Sequence, residues 1–117
     1  MSANDFNRIQ LALQKAVEHH IYIILKGHHT LICTPEGKGY FNTTGNPGMA
    51  TGGSGDVLCG VLTGLLAQGY SPLHASLIGV YLHGLAGDIA AEKRSEEAMV
   101  AGDIVECLGE AFRKIAD

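Results

Sequence analysis

Positive charge is scarce in this sequence. Eight Lys and Arg stand against twelve Asp and Glu over 117 residues, a formal net charge of −4. No general basic field exists to recruit nucleic acid. Cysteine is scarce as well: Cys33, Cys59 and Cys107 are odd in number and show no C-x-x-C spacing. That excludes a disulfide framework or a cysteine zinc site and fits buried or free thiols in a reducing compartment. There is no Trp, and no apolar run approaches the roughly 20 residues that span a bilayer. The first residues, Met-Ser-Ala-Asn-Asp, lack a basic region followed by an apolar one, so no secretory leader is expected and cytoplasm is the default location. What is present is 46% hydrophobic with 16 glycines, a globular rather than a disordered composition. A chain of this size fits one small domain with a feasible but not generous core.

The glycines concentrate in Gly45-Asn46-Pro47-Gly48-Met49-Ala50-Thr51-Gly52-Gly53-Ser54-Gly55-Asp56. Pro47 and the glycine run exclude helix there and favour an open loop over 43–55. Directly after it, Val57, Leu58, Val61, Leu62, Leu65 and Leu66 recur at helical spacing, which predicts a helix from Gly55 to about Gln68, closed by Gly69. A flexible loop thus delivers unencumbered backbone N–H groups to a helix N-terminus, where amides and dipole attract phosphate. Asp56 in the first turn would repel a bound anion. A carboxylate so placed points to a base acting on a hydroxyl that meets the phosphate. The loop is not a Walker loop, since no Gly-Lys-Ser/Thr follows, and Leu58 breaks G-x-G-x-x-G.

Taken in order, Asn4 or Asp5 caps a helix through about His19, with Ile9, Leu11, Leu13, Ala16 and Val17 as its apolar stripe. Ile21–Leu25 is a continuous run rich in β-branched Ile, of the kind that suits a parallel strand covered on both faces. Residues 30–42 form a hairpin through Pro35-Glu36-Gly37-Lys38. Ser71-Pro72 opens a helix running to about Lys93, apolar almost all round and hence interior. Gly60, Gly64, Gly79, Gly84 and Gly87 each weaken their helix by roughly 1 kcal/mol, which close helix or ligand approach would offset. One or two helices close the chain. Asp88 and Asp103 are polar breaks in apolar helices with no role beyond caps. Three strands and about four helices cannot cover all these apolar faces. The chain is therefore expected to be a fragment, or to associate with itself.

The 45–56 string, with Leu25-Lys26-Gly27-His28-His29-Thr30 upstream, resembles the C-terminal part of the NAD(P)H-hydrate dehydratase family, within the ribokinase-like superfamily of small-molecule kinases. The resemblance runs from about Arg8 to the C-terminus. It implies an α/β class, the C-terminal portion of a three-layer αβα fold with a mainly parallel sheet and a hairpin, and one partial domain over 1–117. By that resemblance Asp56 is the catalytic base. It deprotonates the ring hydroxyl of hydrated NADH or NADPH for attack on the terminal phosphorus of ADP or ATP, and loss of phosphate restores the dihydropyridine. Amides of Gly53, Ser54 and Gly55 would hold the moving phosphoryl charge; Ser54 stands where Thr is frequent in the superfamily. Lys26, Gly27, His28, His29 and Thr30 are implied in nucleotide contact, and Asn46 in fixing the loop or flanking the phosphate.

Six histidines form no metal-ligand pattern: His19-His20 and His28-His29 are adjacent, and His74 and His83 are out of register on one helix. Mg²⁺ arriving with the nucleotide is the metal expected. Two alternatives stay open: a kinase of a sugar or vitamin-precursor hydroxyl, against which the Asn-Pro-Gly-Met-Ala-Thr run weighs, and a catalytically silent nucleotide-binding fragment. The partners expected are a small-molecule substrate and either further copies of the chain or a missing N-terminal half, with no nucleic acid and no membrane.

Overall fold

A computed structural model describes residues 3–27 and 29–116. The chain divides into two compact units, Met1–Asn42 and Thr43–Asp117.

In the first unit, helix α1 (Ala3–His19) precedes strands β1 (Ile23–Leu25), β2 (Leu31–Cys33) and β3 (Gly39–Phe41). The ion pairs Asp5–Arg8 at 3.9 Å and Lys15–Glu18 at 3.2 Å are exposed and contribute about 0.5 kcal/mol or less each. Burial holds α1 in place: Ala12 and Ala16, with Ile9 and Leu13, pack on Leu31, Cys33, Ile23 and Leu25. The apolar stripe therefore differs from the one expected. Leu11 and Val17 are 54% and 50% exposed, because 9, 12, 13 and 16 share a face at 100° per residue and 11 and 17 do not. The helix stops as expected at His19: His20 turns left-handed (φ 57°) and Ile21 N–H donates to Ala16 O at 3.0 Å.

The sheet order is β1-β2-β3, antiparallel throughout, with Ile24 opposite Ile32 and Ile32 opposite Tyr40. The 30–42 hairpin is present as expected. The parallel pairing expected for 21–25 is not found among the described strands. Only residues 26–30 join β1 to β2, whereas a parallel pair needs a crossover of about a dozen residues or more. The fully buried strand is β2; β1 is half-buried and β3 exposed.

In the second unit, α2 (Ser54–Ala67), α3 (Pro72–Arg94) and α4 (Ala101–Ala116) follow the glycine-rich loop. Leu82, Ala86, Ile89 and Ala90 of α3 pack with Met99 and with Ile104, Cys107 and Ala111 of α4. The α2 residues Val57 and Val61 and the loop residue Met49 join from the side. Gly69 (φ 97°) closes α2 as anticipated, and Ser71 caps α3, its Oγ accepting from His74 N–H at 3.1 Å with Pro72 next. One helix closes the chain. Asp103 back-bonds its start, accepting from Val100 N–H at 2.9 Å, and meets Arg94 at 3.6 Å. Among the described residues no helix is long and apolar enough to cross a membrane. Phe6, Phe41, Leu66, Val100, Val105 and Phe112 are 48–57% exposed.

Candidate phosphate-binding loop

The loop begins pinned to α3. Thr44 Oγ1 donates to Tyr81 O at 2.9 Å, Gly45 N–H to Asp88 Oδ2 at 3.0 Å, and Asn46 Nδ2 to Asp88 Oδ1 at 2.8 Å. Asn46 Oδ1 in turn accepts from Gly48 N–H at 3.0 Å and caps a single 3₁₀ turn, Pro47–Met49. That turn corrects the expectation of a wholly non-helical loop. The Asn46 cap and the fixed φ of Pro47 favour a turn even among glycines. Met49 then lies on α3 where Gly87 has no side chain; a Cβ there would come within 2.2 Å of Met49 Sδ. Asp88, expected to have no role beyond a cap, lies mid-helix in α3 and holds the loop instead; the sequence showed it only as a lone carboxylate in an apolar helix.

At the far end, Gly53 is the N-cap of α2 at φ 90°, a left-handed shape that strains other residues. The helix starts at Ser54, one residue earlier than read from the sequence. Ser54 N–H donates to Thr51 O at 3.2 Å. His83, buried on α3, donates Nε2–H to Ser54 O at 3.0 Å, and the same nitrogen lies 3.4 Å from Ser54 Oγ. Ser54 and His83 are 2% and 5% exposed, so the amide and side chain of Ser54 are both turned to the protein. Gly55 and Asp56 are exposed, and their amides, in the first turn, have no carbonyl four residues back within the helix. A Cβ on Gly52 would meet nothing within 4 Å. The exposed carboxylate of Asp56 therefore stands on the open side of a glycine-lined helix start. Asn46, Gly53, Ser54, Gly55 and Asp56 all belong to this one substructure.

In the first unit, Lys26, Gly27 and His29 follow β1 and line a cavity of about 300 Å³ with Arg8, Leu25 and Phe41. Thr30 is half-buried, and its carbonyl accepts from Asn42 N–H at 2.8 Å. His28 lies outside the described residues. Arg8 and Phe41 at this cavity were missed by sequence reasoning, because they are distant in sequence from the 26–30 loop and carry no local motif. Among the described residues no three His, Cys, Asp or Glu side chains gather to hold a metal ion. Burial raises the Cys33 and Cys107 thiols above their ordinary value, Cys107 with a smaller opposing pull from Lys93.

Comparison with known proteins places this loop in a family context. The bifunctional NAD(P)H-hydrate repair enzyme Nnr of Moorella thermoacetica is 47% identical over 111 residues, 95% of this chain and 21% of that enzyme. A crystal structure of the ADP/ATP-dependent NAD(P)H-hydrate dehydratase of Bacillus subtilis, co-crystallised with ATP and Mg²⁺ and soaked with CoA, superposes with a TM-score of 0.88. Its identity is 33%, covering 94% of this chain and 41% of that one. A ribokinase-like superfamily protein of Enterococcus faecalis matches with a TM-score of 0.73 at 37% identity, over 87% of this chain and 35% of that one. The α/β fold is therefore ribokinase-like, and the chain spans about a fifth to two fifths of these relatives' lengths. The sequence profile described as NAD(P)H-hydrate dehydratase matches residues 2–109, across the loop and helices α2 and α3, and the chain belongs to that family.

Proposed function

We propose that this chain carries the phosphate loop and the base of a nucleotide-dependent dehydration of hydrated NADH or NADPH, a cofactor-repair reaction. The observation that carries the reading is the exposed Asp56 in the first turn of α2, beside an open glycine-lined backbone. Asp56 takes the proton from the substrate's ring hydroxyl as that oxygen approaches phosphorus. Amides at Gly53, Gly55 and Asp56 hold the negative charge of the transferring group by preorganised electrostatics. The Ser54 amide, engaged with Thr51, contributes less directly. ADP or ATP supplies the phosphoryl group that turns the hydroxyl into a leaving group.

The residues present fit such a nucleotide, because the helix start is open and lined by glycine. Mg²⁺ fits as an ion brought by the nucleotide, since it keeps water and phosphate oxygens as ligands. Nucleotide contact by Lys26, Gly27, His28, His29 and Thr30 rests on the family resemblance. It is supported by the cavity that Lys26, Gly27 and His29 line. The family match runs across both compact units, which supports reading them as parts of one partial domain. The exposed apolar side chains support cover by a second copy or by further sequence of the whole protein.

The test follows absorbance recovery of hydrated NADH with ADP or ATP, alongside detection of phosphorylated product and calorimetry of ADP binding. Asp56→Asn is expected to lower turnover at least about a hundred-fold with nucleotide affinity nearly unchanged. Normal turnover by that variant would refute the assignment. Phosphorylated product without NADH recovery would make the chain a hydroxyl kinase, and ADP binding without turnover a silent nucleotide-binding fragment.

A further inference from the structure

Helix α3 does more than fill the interior. It fastens the 45–56 loop at both ends. Asp88 takes the loop's start through the Gly45 amide at 3.0 Å and the Asn46 side chain at 2.8 Å. Its carboxylate is therefore an acceptor for two donors that have no strand or helix of their own to serve. Asn46 relays this to Gly48, fixing the 3₁₀ turn. His83, one helical turn and a little more before Asp88, takes the loop's end through Ser54 O at 3.0 Å. Between these anchors the side chain of Met49 lies where Gly87 leaves room, and Thr44 is tied to Tyr81 O. A glycine-rich loop left to itself samples many shapes, and ordering it on binding weakens the ligand.

We infer that Asp88 and His83 are positioning residues that hold the glycine-rich loop in its ligand-ready shape before a nucleotide arrives. The inference rests on the proposed phosphate role of that loop, although the fastening itself does not depend on it. Neither side chain need touch substrate or nucleotide. Asp88→Asn replaces one carboxylate oxygen by an NH₂ that faces a donor, so one of the two contacts must break. His83→Gln keeps an N–H at nearly the reach of Nε2, whereas His83→Leu has none.

The experiment is amide hydrogen exchange on the whole chain, resolved by residue, paired with ADP–Mg²⁺ calorimetry. In Asp88→Asn the amide on the side of the broken contact, Gly45 directly or Gly48 through Asn46, should exchange at least about ten-fold faster, as a lost charge-assisted bond implies. Amides in the middle of α3 and α4 should keep wild-type rates. ADP affinity should fall by a similar factor. His83→Leu should weaken ADP binding and His83→Gln restore most of it. Loop exchange that is unchanged in Asp88→Asn would overturn the inference. So would acceleration spread evenly over the whole second unit, which would make Asp88 a general stability residue. If the wild-type chain binds no ADP, the function reading falls, and the exchange experiment still decides whether α3 sets the loop.

Discussion

Glycine placement in the helices makes a prediction of opposite signs on α3 and α2. A Cβ on Gly84 would lie 2.1 Å from Thr44 Oγ1, 2.7 Å from Thr44 C and 2.8 Å from Thr44 Cβ. The obstacle is partly backbone and cannot swing aside. Gly84→Ala gains about 1 kcal/mol of helix propensity. Against that, it displaces Thr44, loses the Thr44–Tyr81 hydrogen bond at about 1 kcal/mol and strains a packed site by about 1–3 kcal/mol. The expected net loss is about 1–3 kcal/mol. Gly60 and Gly64, on the exposed face of α2, meet nothing within 4 Å. Gly60→Ala and Gly64→Ala should therefore each stabilise by up to about 1 kcal/mol. Urea melts give the free energies directly. Thermal melts should show Gly84→Ala lowered, and Gly60→Ala raised, by roughly 4 °C per kcal/mol. A Gly84→Ala chain as stable as wild type would refute the close approach of loop to α3. A destabilised Gly60→Ala would show that this face of α2 is covered.

Other consequences can be checked separately. Ser71→Ala removes the N-cap of α3 and should cost about 1 kcal/mol in the same melts, with Ser71→Asp restoring most of it. An alkylating reagent should label Cys59, which is exposed, well before Cys33 and Cys107, which are buried. Mass spectrometry of the native chain should then show one fast adduct and two that follow unfolding. Cys59 lies one helical turn after Asp56, so under the proposed phosphate role of the loop that adduct should also weaken ADP binding. The raised thiols of Cys33 and Cys107 set a pH dependence. The unfolded thiols ionise first, near pH 8.5, so the folded chain binds more protons above that pH. The stability linked to them is fully present below it and lost as pH rises through the folded values. Urea midpoints should fall in the alkaline range, and Cys107→Ala should flatten that fall. A flat profile in the parent chain would refute the burial argument.

Much of this molecule could be read from periodicity and turn chemistry. The span of α3 followed from Ser71-Pro72 and a long apolar pattern, and the 30–42 hairpin from its turn residues. The end of α2 followed from Gly69. Interior use of Gly79, Gly84 and Gly87 was anticipated as close approach, and Leu62, Thr44 and Met49 are what approaches. The same reading failed at Gly60 and Gly64, which are open, because a helical glycine looks alike whether or not a neighbour stands over it. The stripe on α1 was misassigned at Leu11 and Val17, since apolar identity alone does not say which edge of a wide face meets the sheet.

Sequence by itself determined the local elements and the glycine-rich approach to Asp56. Backbone freedom, capping and apolar spacing act over a few residues and leave their marks within those residues. Only tertiary structure decided that α1 lays Ala12 and Ala16, and not Leu11 and Val17, on the sheet. It also decided that Arg8 shares a cavity with Lys26, and that Asp88 and His83 hold the two ends of the loop. Those last contacts join residues 42–43 and 29 positions apart. A carboxylate or an imidazole in a helix has many possible partners at such distances, and the packing of the chain selects among them.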